Sequence, residues 1–312
     1  MSTATVTGSA QHVISLREFS GAELRELVAL AEECGQHPER FESALHRKGL
    51  VLLMEKTSTR TVLSFEAAIA ELGGYAVRLN WAESNFSISP IRYEAAYVSR
   101  NTAAILARLK KHEDLLELAA GSVVPVINGC DNRYHPTQAL ADVITMRQVA
   151  GTLDGTQVTY VGIHNNVANS LLVACTRLGV QVGLVTPDRN PESWDEELMA
   201  EARATGLVRE YEAVADAARV SDFLYTDTWI DMEHYHDPAY ATEAERRVEL
   251  MTPYQLNRRN LAGATPWIMH DMPIHPGFEI AEDLVEAPRS VIYQQAQNRL
   301  LSAKALLLAL LR

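Results

Sequence analysis

The chain is poor in cysteine, has no long apolar run and carries no excess of positive charge. Its three cysteines, Cys34, Cys130 and Cys175, are widely scattered among 312 residues and show no Cys-x-x-Cys spacing. Neither a disulfide framework nor a cysteine-bound zinc site is therefore expected. The net charge of -12 argues against nucleic acid and anionic membranes as partners, because a surface that follows phosphates needs an excess of lysine and arginine. No apolar run approaches the ~20 residues of a membrane span.

The N-terminal segment shows no targeting signal, and the histidines show no metal-binding motif. Residues Met1–Gly8 lack the basic and then apolar pattern of a signal peptide, so we expect a cytoplasmic protein. The ten histidines include His234, His236, His270 and His275, and these spacings match no standard metal-ligand motif. We therefore predict no metal and no cofactor.

Apolar runs that are typical of buried strands alternate with helical patterns along the chain. They lie at residues 51–54, 75–79, 103–107, 123–127, 156–162, 181–185, 223–226 and 266–270. The alternation predicts an α/β fold with two doubly wound parallel-sheet domains joined by bridging helices. After the first strand of the second half, residues 162–166 read Gly-Ile-His-Asn-Asn rather than Gly-x-Gly-x-x-Gly, which disfavours a dinucleotide dehydrogenase.

Two predicted junctions between a strand and a helix carry polar motifs. Ser58–Thr61 reads Ser-Thr-Arg-Thr, and such a helix start places backbone N–H groups, hydroxyls and a guanidinium around one point, which suits a phosphate. Alternatively this segment is an ordinary N-cap with a surface arginine. His135–Gln138 reads His-Pro-Thr-Gln at the second junction. Here the alternatives are a capping histidine with a solvated glutamine, or a nucleophile pair of Cys130 with His135.

These motifs, in this order and at this separation, resemble those of the aspartate/ornithine carbamoyltransferase superfamily. Arg108 is similar to the family's second phosphate-binding arginine, and Arg299 is similar to the late arginine of its ornithine branch. Asn165-Asn166 and Asp227-Thr-Trp resemble the acceptor motifs of that branch. The resemblance covers most of the chain and implies an enzyme that acts on carbamoyl phosphate.

The resemblance assigns a role to each motif in the attack of a neutral amine on the carbonyl carbon of carbamoyl phosphate. The leaving phosphate needs positive charge, the carbonyl oxygen needs donors and the amine needs orientation. Phosphate binding is implied for Ser58, Thr59, Arg60, Thr61 and Arg108. His135 and Arg299 would polarise the carbonyl oxygen, and Gln138 would orient the carbamoyl amide. The implied catalytic residues are Arg60, His135, Gln138 and Arg299.

The same resemblance implies two domains and a trimer. Residues 1–148 would bind carbamoyl phosphate and would be completed by the C-terminal helix 293–312, which is more apolar than a surface helix needs. Residues 149–292 would bind the amine. A helix from His135 would bridge the two sheets. In the family the loop that corresponds to Trp81–Pro90 completes the site of a neighbouring subunit, so a homotrimer or a multiple of trimers is implied.

The acceptor motifs depart from the ornithine pattern. In that branch an Asn, an Asp and a Ser-Met pair bind the amino-acid head group, and His-Cys-Leu-Pro flanks the reacting amine. Here Asp231 stands at the serine position and Asp271 at the cysteine position, so an amine-rich acceptor is favoured. The implied acceptor-binding residues are Asn166, Asp227, Asp231, Met232, Asp271 and Met272.

Asp271 changes the chemistry expected at the reacting amine. An ionised carboxylate raises the pKa of a neighbouring ammonium by about 1–3 units and makes the amine less nucleophilic. Asp271 must then act as a base, remain protonated, or pair with a further cationic group of a nonstandard acceptor. Alternatively, it points away and accepts a hydrogen bond from a backbone N–H.

Two further features bear on the choice of acceptor. Residues 269–280 resemble the aspartate branch, but the loop Trp81–Pro90 lacks the lysine of the aspartate enzymes. The sequence therefore predicts an N-carbamoyltransferase for ornithine or a related amino compound. The alternatives are an enzyme for a specialised diamino acid or amine of secondary metabolism, and a catalytically silent regulatory paralogue that binds carbamoyl phosphate. The intact catalytic set argues against the silent paralogue.

Overall fold

The computed structural model describes residues 12–231, 235 and 237–312. The chain divides into two compact units. The first unit is Met1–Ile144 with Gln297–Arg312, and the second unit is Thr145–Ala296. In the part of the chain so described, no helix is long and apolar enough to cross a membrane.

Short strands and helices alternate along the described chain. The strands are β1 (Gly49–Met54), β2 (Tyr75–Asn80), β3 (Ala104–Arg108), β4 (Val126–Cys130), β5 (Gln157–His164), β6 (Gln181–Arg189), β7 (Val208–Glu210), β8 (Phe223–Thr226) and β9 (Trp267–His270). The α-helices are α1 (Gly21–Gln36), α2 (Thr59–Glu71), α3 (Ile91–Val98), α4 (His112–Gly121), α5 (Pro136–Ala150), α6 (Asn166–Leu178), α7 (Glu196–Ala204), α8 (Val214–Ala218), α9 (Ala241–Met251), α10 (Arg258–Leu261), α11 (Glu282–Val285) and α12 (Ile292–Leu311). Along the sequence, α5 and α12 each begin in one unit and end in the other.

The first unit is built on a parallel sheet whose strand order is β2-β1-β3-β4. β1 lies inside this sheet, and all of its residues except Met54 are buried, as expected of a parallel strand that is covered on both faces. Val51 of β1, Ile105 of β3 and Leu118 of α4 belong to one apolar core. β2 is an edge strand with largely exposed side chains, among them Tyr75.

The second unit is built on a parallel sheet whose strand order is β7-β6-β5-β8-β9. Val161 of β5, Leu224 of β8 and Ile268 of β9 share its main apolar core. α6 begins at the N-cap Asn165 and ends at Gly179, whose φ of 79° is the left-handed conformation that favours glycine. The C-terminal ends of β5, β8 and β9 therefore lie at one edge of the sheet.

The structure confirms the predicted α/β fold with two parallel sheets. One predicted strand is misplaced, because the apolar run at 123–127 is not the strand itself. Val123 is 56% exposed, and β4 begins only at Val126, after a proline that cannot donate to the ladder. The strand then runs through Asn128, which is buried and donates from Nδ2 to the Ile14 carbonyl oxygen at 2.8 Å. A polar residue satisfied by a distant loop cannot be recognised from local pattern.

Candidate active site

The Ser-Thr-Arg-Thr motif lies at the C-terminal end of β1, where α2 begins. Ser58 is the N-cap, and its Oγ accepts a hydrogen bond from the backbone N–H of Thr61 at 3.1 Å, so the capping alternative is correct for this residue. Thr61 is buried, Arg60 is half-buried and Thr59 is exposed. A capped helix start can still bind an anion, because the first turn contains several N–H groups and the positive end of the helix dipole.

Arg108 reaches the same edge of the sheet from the end of β3. The register of β3 against β4 shifts after Ala107, and Gly129 is skipped in the pairing. Arg108 Nη1 donates to the Gly129 carbonyl oxygen at 3.4 Å, and the arginine is only 8% exposed. A Cβ at Gly129 would lie 3.3 Å from Cγ2 of Thr61, so glycine allows β4 to pack closely against α2.

The turn between β4 and His135 is organised by Asp131, which the sequence analysis did not identify. Asp131 Oδ1 accepts hydrogen bonds from two backbone N–H groups of the turn at 2.7 and 2.6 Å. Its Oδ2 lies 2.7 Å from Nδ1 of His112 and accepts from Nδ2 of Asn128 at 2.9 Å. This fully buried carboxylate fixes the turn that precedes α5, and so it positions His135.

His135 is a neutral imidazole in strongly basic surroundings. Burial lowers the pKa of the His135 ring well below its ordinary value of 6.5, and nearby cations lower it further. These cations are Arg299, Arg108, Arg60 and Lys56. Nδ1 of His135 lies 3.4 Å from the hydroxyl of Thr137. Several cations that act on one buried ring indicate a local excess of positive charge, which attracts anions.

Arg299 of α12 joins the two motifs within the first unit. Its Nη2 donates to Oγ1 of Thr61 at 3.0 Å, and its Nη1 donates to Oε1 of Gln138. Gln138 Nε2 in turn donates to Oδ1 of Asp142 at 2.8 Å. All four side chains are buried, so their geometry is held by packing as well as by hydrogen bonds. Oε1 of Gln138 is engaged by Arg299 and keeps one further lone pair for a ligand.

The structure gives no support to a Cys130–His135 nucleophile pair. The Cys130 Sγ donates to the carbonyl oxygen of Asp131 at 3.4 Å. A nucleophile pair requires the thiol to give its proton to the imidazole, and the surrounding cations disfavour a protonated His135. Cys130 therefore fits a packing role at the end of β4.

In the second unit, Asn165 links the start of α6 to the end of β8. Its Oδ1 accepts from the backbone N–H groups of Val167 and Ala168 at 3.0 and 3.2 Å, and its Nδ2 donates to Oδ2 of Asp227 at 2.6 Å. Asn166, the predicted acceptor residue, is the partly exposed first residue of α6. The sequence motif contained both asparagines, and the structure shows that Asn165 holds the aspartate.

Asp227 and Asp271 form a pair of carboxyl groups whose oxygen atoms lie within 4.8 Å of each other. Burial raises the pKa of Asp227 well above its ordinary value of 3.8, and the neighbouring Asp271 raises it further. The side chain of Asp271 is 12% exposed. It faces Asp227, so the alternative in which Asp271 points away is wrong. Ionising both of two carboxyl groups this close is costly, which favours a state in which the pair keeps one proton.

His270 lies beside this carboxyl pair and is held by Glu279. The backbone N–H of Met272 donates to His270 Nδ1 at 2.8 Å, so the ring carries its proton on Nε2 and donates to Oε1 of Glu279 at 3.0 Å. The same Oε1 accepts from the backbone N–H of His275 at 2.5 Å. Both His270 and Glu279 are buried, which makes Glu279 a support for the loop that carries Asp271.

The remaining predicted acceptor residues are placed less uniformly. Asp231 accepts from Asn190 Nδ2 at 3.1 Å and from Arg247 Nη1 at 3.3 Å, so its charge is largely compensated by a buried arginine. Met272 follows Asp271 with a positive φ of 64°. Met232 lies outside the described residues. The acidity expected of this region therefore rests on Asp227 and Asp271 more than on Asp231.

Asp227, His270 and Asp271 also offer ligand atoms within 4.8 Å of one another, the spacing of a metal site. The histidine does not fit that use, because Nδ1 already accepts a hydrogen bond from Met272 and Nε2 is directed at Glu279. A metal ligand needs a lone pair on one ring nitrogen. The geometry therefore fits an acid pair better than a metal, and the absence of a metal stays a prediction.

Family models match both halves of the chain. The model described as "Aspartate/ornithine carbamoyltransferase, carbamoyl-P binding domain" matches residues 11–148, and the one described as "Aspartate/ornithine carbamoyltransferase, Asp/Orn binding domain" matches residues 154–310. The chain belongs to the aspartate/ornithine carbamoyltransferase family. This membership confirms the resemblance that the sequence motifs indicated.

Proteins named ornithine carbamoyltransferase are similar to this chain over nearly its whole length. The anabolic enzyme of Pyrococcus furiosus is 35% identical over 97% of this chain and 96% of its own, and the enzyme of Bacillus subtilis is 34% identical over 96% and 93%. The solved structure from P. furiosus has a TM-score of 0.89 at 33% identity and covers 99% of both chains. The one from Thermus thermophilus has a TM-score of 0.85 at 34% identity and covers 97% of this chain and 99% of its own. These relatives support the ornithine branch of the family.

Proposed function

We propose that the protein transfers the carbamoyl group of carbamoyl phosphate to an amine and releases phosphate. The observation that carries the proposal is the buried contact of Arg299 with Gln138 and Thr61, which joins the two carbamoyl phosphate motifs in a member of this family. An anion site that is held together before the ligand arrives loses little on reorganisation when charge develops.

Carbamoyl phosphate is proposed to bind through residues 1–148 and the C-terminal helix 293–312. Its phosphate would lie at the N-terminus of α2, where backbone N–H groups, hydroxyls and guanidinium groups meet. The residues proposed to bind the phosphate are Ser58, Thr59, Arg60, Thr61 and Arg108. The lowered pKa of His135 supports this placement, because it reports the excess of positive charge there.

The reaction follows from these positions. The amine nitrogen forms a bond to the carbonyl carbon, and the electron pair of the bond between that carbon and the phosphate oxygen leaves with the phosphate. His135, as a neutral imidazole, and the positively charged Arg299 donate hydrogen bonds to the carbonyl oxygen, where negative charge develops. Gln138 orients the carbamoyl NH₂ group. Arg60 neutralises the leaving phosphate, which accepts the proton that the amine loses. Each part stabilises the transition state more than the ground state.

The amine is proposed to bind through residues 149–292. The residues proposed to contact it are Asn166, Asp227, Asp231, Met232, Asp271 and Met272. A carboxyl pair that shares one proton can hold an ammonium group and can also accept a proton from it. Asp271 is thus suited to bring a charged amine into the site and to help it reach its neutral, nucleophilic form.

Ornithine or a related amino compound is the acceptor that the family supports best. The contact between Asp271 and Asp227 favours a second candidate, a specialised diamino acid or amine. A carboxyl group at the cysteine position changes the charge beside the reacting amine, and a different acceptor would be the direct consequence.

A homotrimer and a cytoplasmic location are also proposed. Large apolar side chains stand exposed on the first unit at Leu63, Ile88, Tyr93 and Tyr97, and a subunit interface would cover them. Light scattering coupled to size exclusion should give the mass of three chains, and Tyr97→Asp should lower it.

The proposed cytoplasmic location agrees with the state of the cysteines. All three are buried thiols, which suits a reducing compartment.

The test is formation of a carbamoylated amine from carbamoyl phosphate. Ornithine should be assayed beside diamines, diamino acids and aspartate, with phosphate release and product mass as readouts. Citrulline would identify ornithine as an acceptor, whereas activity confined to another amine would support a specialised acceptor and make Asp271 the first residue to substitute. Amine-independent phosphate release, or none, would contradict the proposal.

Arg60→Ala is the variant that links the activity to the proposed phosphate site. Removing one such donor typically lowers the rate by about 10²–10³-fold. Arg25→Ala is the matched control, because it removes an exposed arginine from α1 of the same unit. Equal activity of the two variants would remove the phosphate role from Arg60.

A further inference from the structure

A cavity of about 280 Å³ lies in the second unit, beside the residues that follow β8 and β9. Its lining is unusually aromatic for a cavity that also contains a carboxylate. The lining residues are Thr228, Trp229, Ile230, Tyr235, His275, Phe278 and Glu279. A cavity of this volume can hold a small organic group.

Only one of the two carboxylate oxygens of Glu279, a lining residue of this cavity, accepts hydrogen bonds within the described part of the chain. Glu279 is 1% exposed, and its Oε1 accepts from His270 and from the backbone of His275. Its Oε2 has no hydrogen-bond partner among the described residues, and Nδ1 of His275 lies 3.8 Å away. A buried carboxylate oxygen in this state is costly unless a cation approaches it.

The aromatic side chains decide what kind of cation fits. Trp229 and Phe278 meet edge to face with centroids 6.5 Å apart, and Tyr235 stacks on His275 at 4.7 Å. Aromatic faces attract organic cations, whereas a hard divalent metal needs several oxygen ligands. Glu279 supplies the carboxylate in the described lining, so an ammonium or guanidinium group fits the cavity better than a metal ion.

We propose that this cavity binds an ammonium or guanidinium group of the amine acceptor, separate from the amine that is carbamoylated. This inference rests on the proposed function. Thr228 of the lining follows Asp227 directly, and Glu279 of the lining holds His270, which precedes Asp271. The lining is thus linked to Asp227 through the next residue in sequence and to Asp271 through the hydrogen bond between Glu279 and His270. The acceptor class is an amine that carries a further cationic group beyond its head group.

The first experiment measures binding to the cavity without turnover. Methylguanidinium and the uncharged, similarly shaped N-methylurea are titrated into the full chain by calorimetry. We expect methylguanidinium to bind about tenfold more tightly or better, because N-methylurea can donate hydrogen bonds but brings no positive charge to Glu279 or to the ring faces. Equal affinities, or no saturable binding of methylguanidinium, would overturn the proposal.

Variants locate that binding. Glu279→Gln keeps an acceptor for His270 and removes the charge, so it should abolish the preference for methylguanidinium. Phe278→Ala, at a half-exposed position, should weaken methylguanidinium binding and serves if the first variant folds poorly. Glu282→Gln, at an exposed site three residues further on, is the matched control and should keep the preference. A preference that survives Glu279→Gln would place the cation elsewhere and overturn the proposal.

The second experiment uses two acceptors that differ only in the distal group, putrescine and 4-amino-1-butanol, with ornithine as the reference. The proposal predicts that putrescine has about a tenfold higher kcat/KM and that Glu279→Gln brings the ratio close to one. Turnover of both amines at similar kcat/KM in the wild type would overturn the cavity proposal and leave the carbamoyltransferase intact. No turnover of any amine, ornithine included, beside selective binding of methylguanidinium, would overturn the proposed function and support the cation site.

Discussion

The two units place their functional side chains in the same way and give them opposite charge. In each unit the side chains follow parallel strands at their C-terminal ends. In the first unit burial and then nearby cations lower the pKa of His135, and in the second unit burial and then Asp271 raise the pKa of Asp227. Strand topology therefore determines where a site can form, and local charge determines whether it takes an anion or an amine.

The units also differ in how firmly the site is held. Arg299, Gln138 and Asp142 form a continuous chain of hydrogen bonds in the first unit, which leaves the guanidinium one arrangement. In the second unit Asp227 and Asp271 lie close together, and the pKa of Asp227 is raised by burial and by Asp271. This difference fits the roles proposed for the two sites, electrostatic stabilisation in the first unit and adjustment of the protonation of the amine in the second.

The largest expected effect is that of Arg299→Ala. It removes a donor to the carbonyl oxygen and the contact to Thr61, so kcat should fall by about 10²–10³-fold. Steady-state phosphate release measures this. Arg312→Ala, at the exposed end of the chain, is the control. Retained activity in Arg299→Ala would show that catalysis does not depend on the hydrogen bonds of Arg299 to Gln138 and Thr61.

A smaller effect is expected from Asn165→Ala in the second unit. The change removes the cap of α6 and the donor to Asp227, and we expect it to lower the free energy of unfolding by about 1–3 kcal/mol. Urea denaturation measures this, and the KM of the amine should rise more than that of carbamoyl phosphate. Asn257→Ala, which uncaps the short helix α10, is the control. An equal rise of both KM values would contradict the proposal that the second unit binds the amine and the first unit binds carbamoyl phosphate.

The smallest effect is a change in the pH dependence of stability in Asp271→Asn. Because the pKa of Asp227 is raised on folding, its contribution to stability is complete below about pH 4 and is lost as pH rises through the raised pKa. Removing Asp271 lowers that pKa, although burial still raises it. Above about pH 4 the variant should gain stability relative to the wild type, by about 1.4 kcal/mol for each unit by which the pKa of Asp227 falls.

Thermal unfolding of both proteins across that pH range checks the prediction. Asp154→Asn, at an exposed turn of the second unit, should follow the wild type. Parallel curves for Asp271→Asn and the wild type would mean that the two carboxyl groups do not share a proton.

Much of the fold and of the basic site could be predicted from the sequence because its signals are local. An apolar run of consecutive residues predicts the strand at 223–226. A capping residue, Ser58, followed by a helical pattern predicts the start of α2. His135 likewise precedes α5 with a proline at its first position. Such junctions specify side-chain position without knowledge of the rest of the molecule.

The features that could not be predicted depend on contacts between distant residues. Arg299 and Thr61 are 238 positions apart, and no local pattern joins them. The compensation of Asp231 by Arg247 and the half-satisfied state of Glu279 arise only when separate loops meet. The sequence revealed which carboxylates are present, and the structure was needed to show which of them carry unbalanced charge.

The most direct test of the central claim follows the carbon that is transferred. Carbamoyl phosphate labelled with ¹³C at the carbonyl carbon is mixed with enzyme and ornithine or another accepted amine, and the label is followed by NMR. The account predicts an enzyme- and amine-dependent resonance of a urea-type carbon with stoichiometric phosphate, which Arg60→Ala forms about 10²–10³-fold more slowly. Label that appears only in hydrolysis products, at a rate independent of the amine, would contradict it.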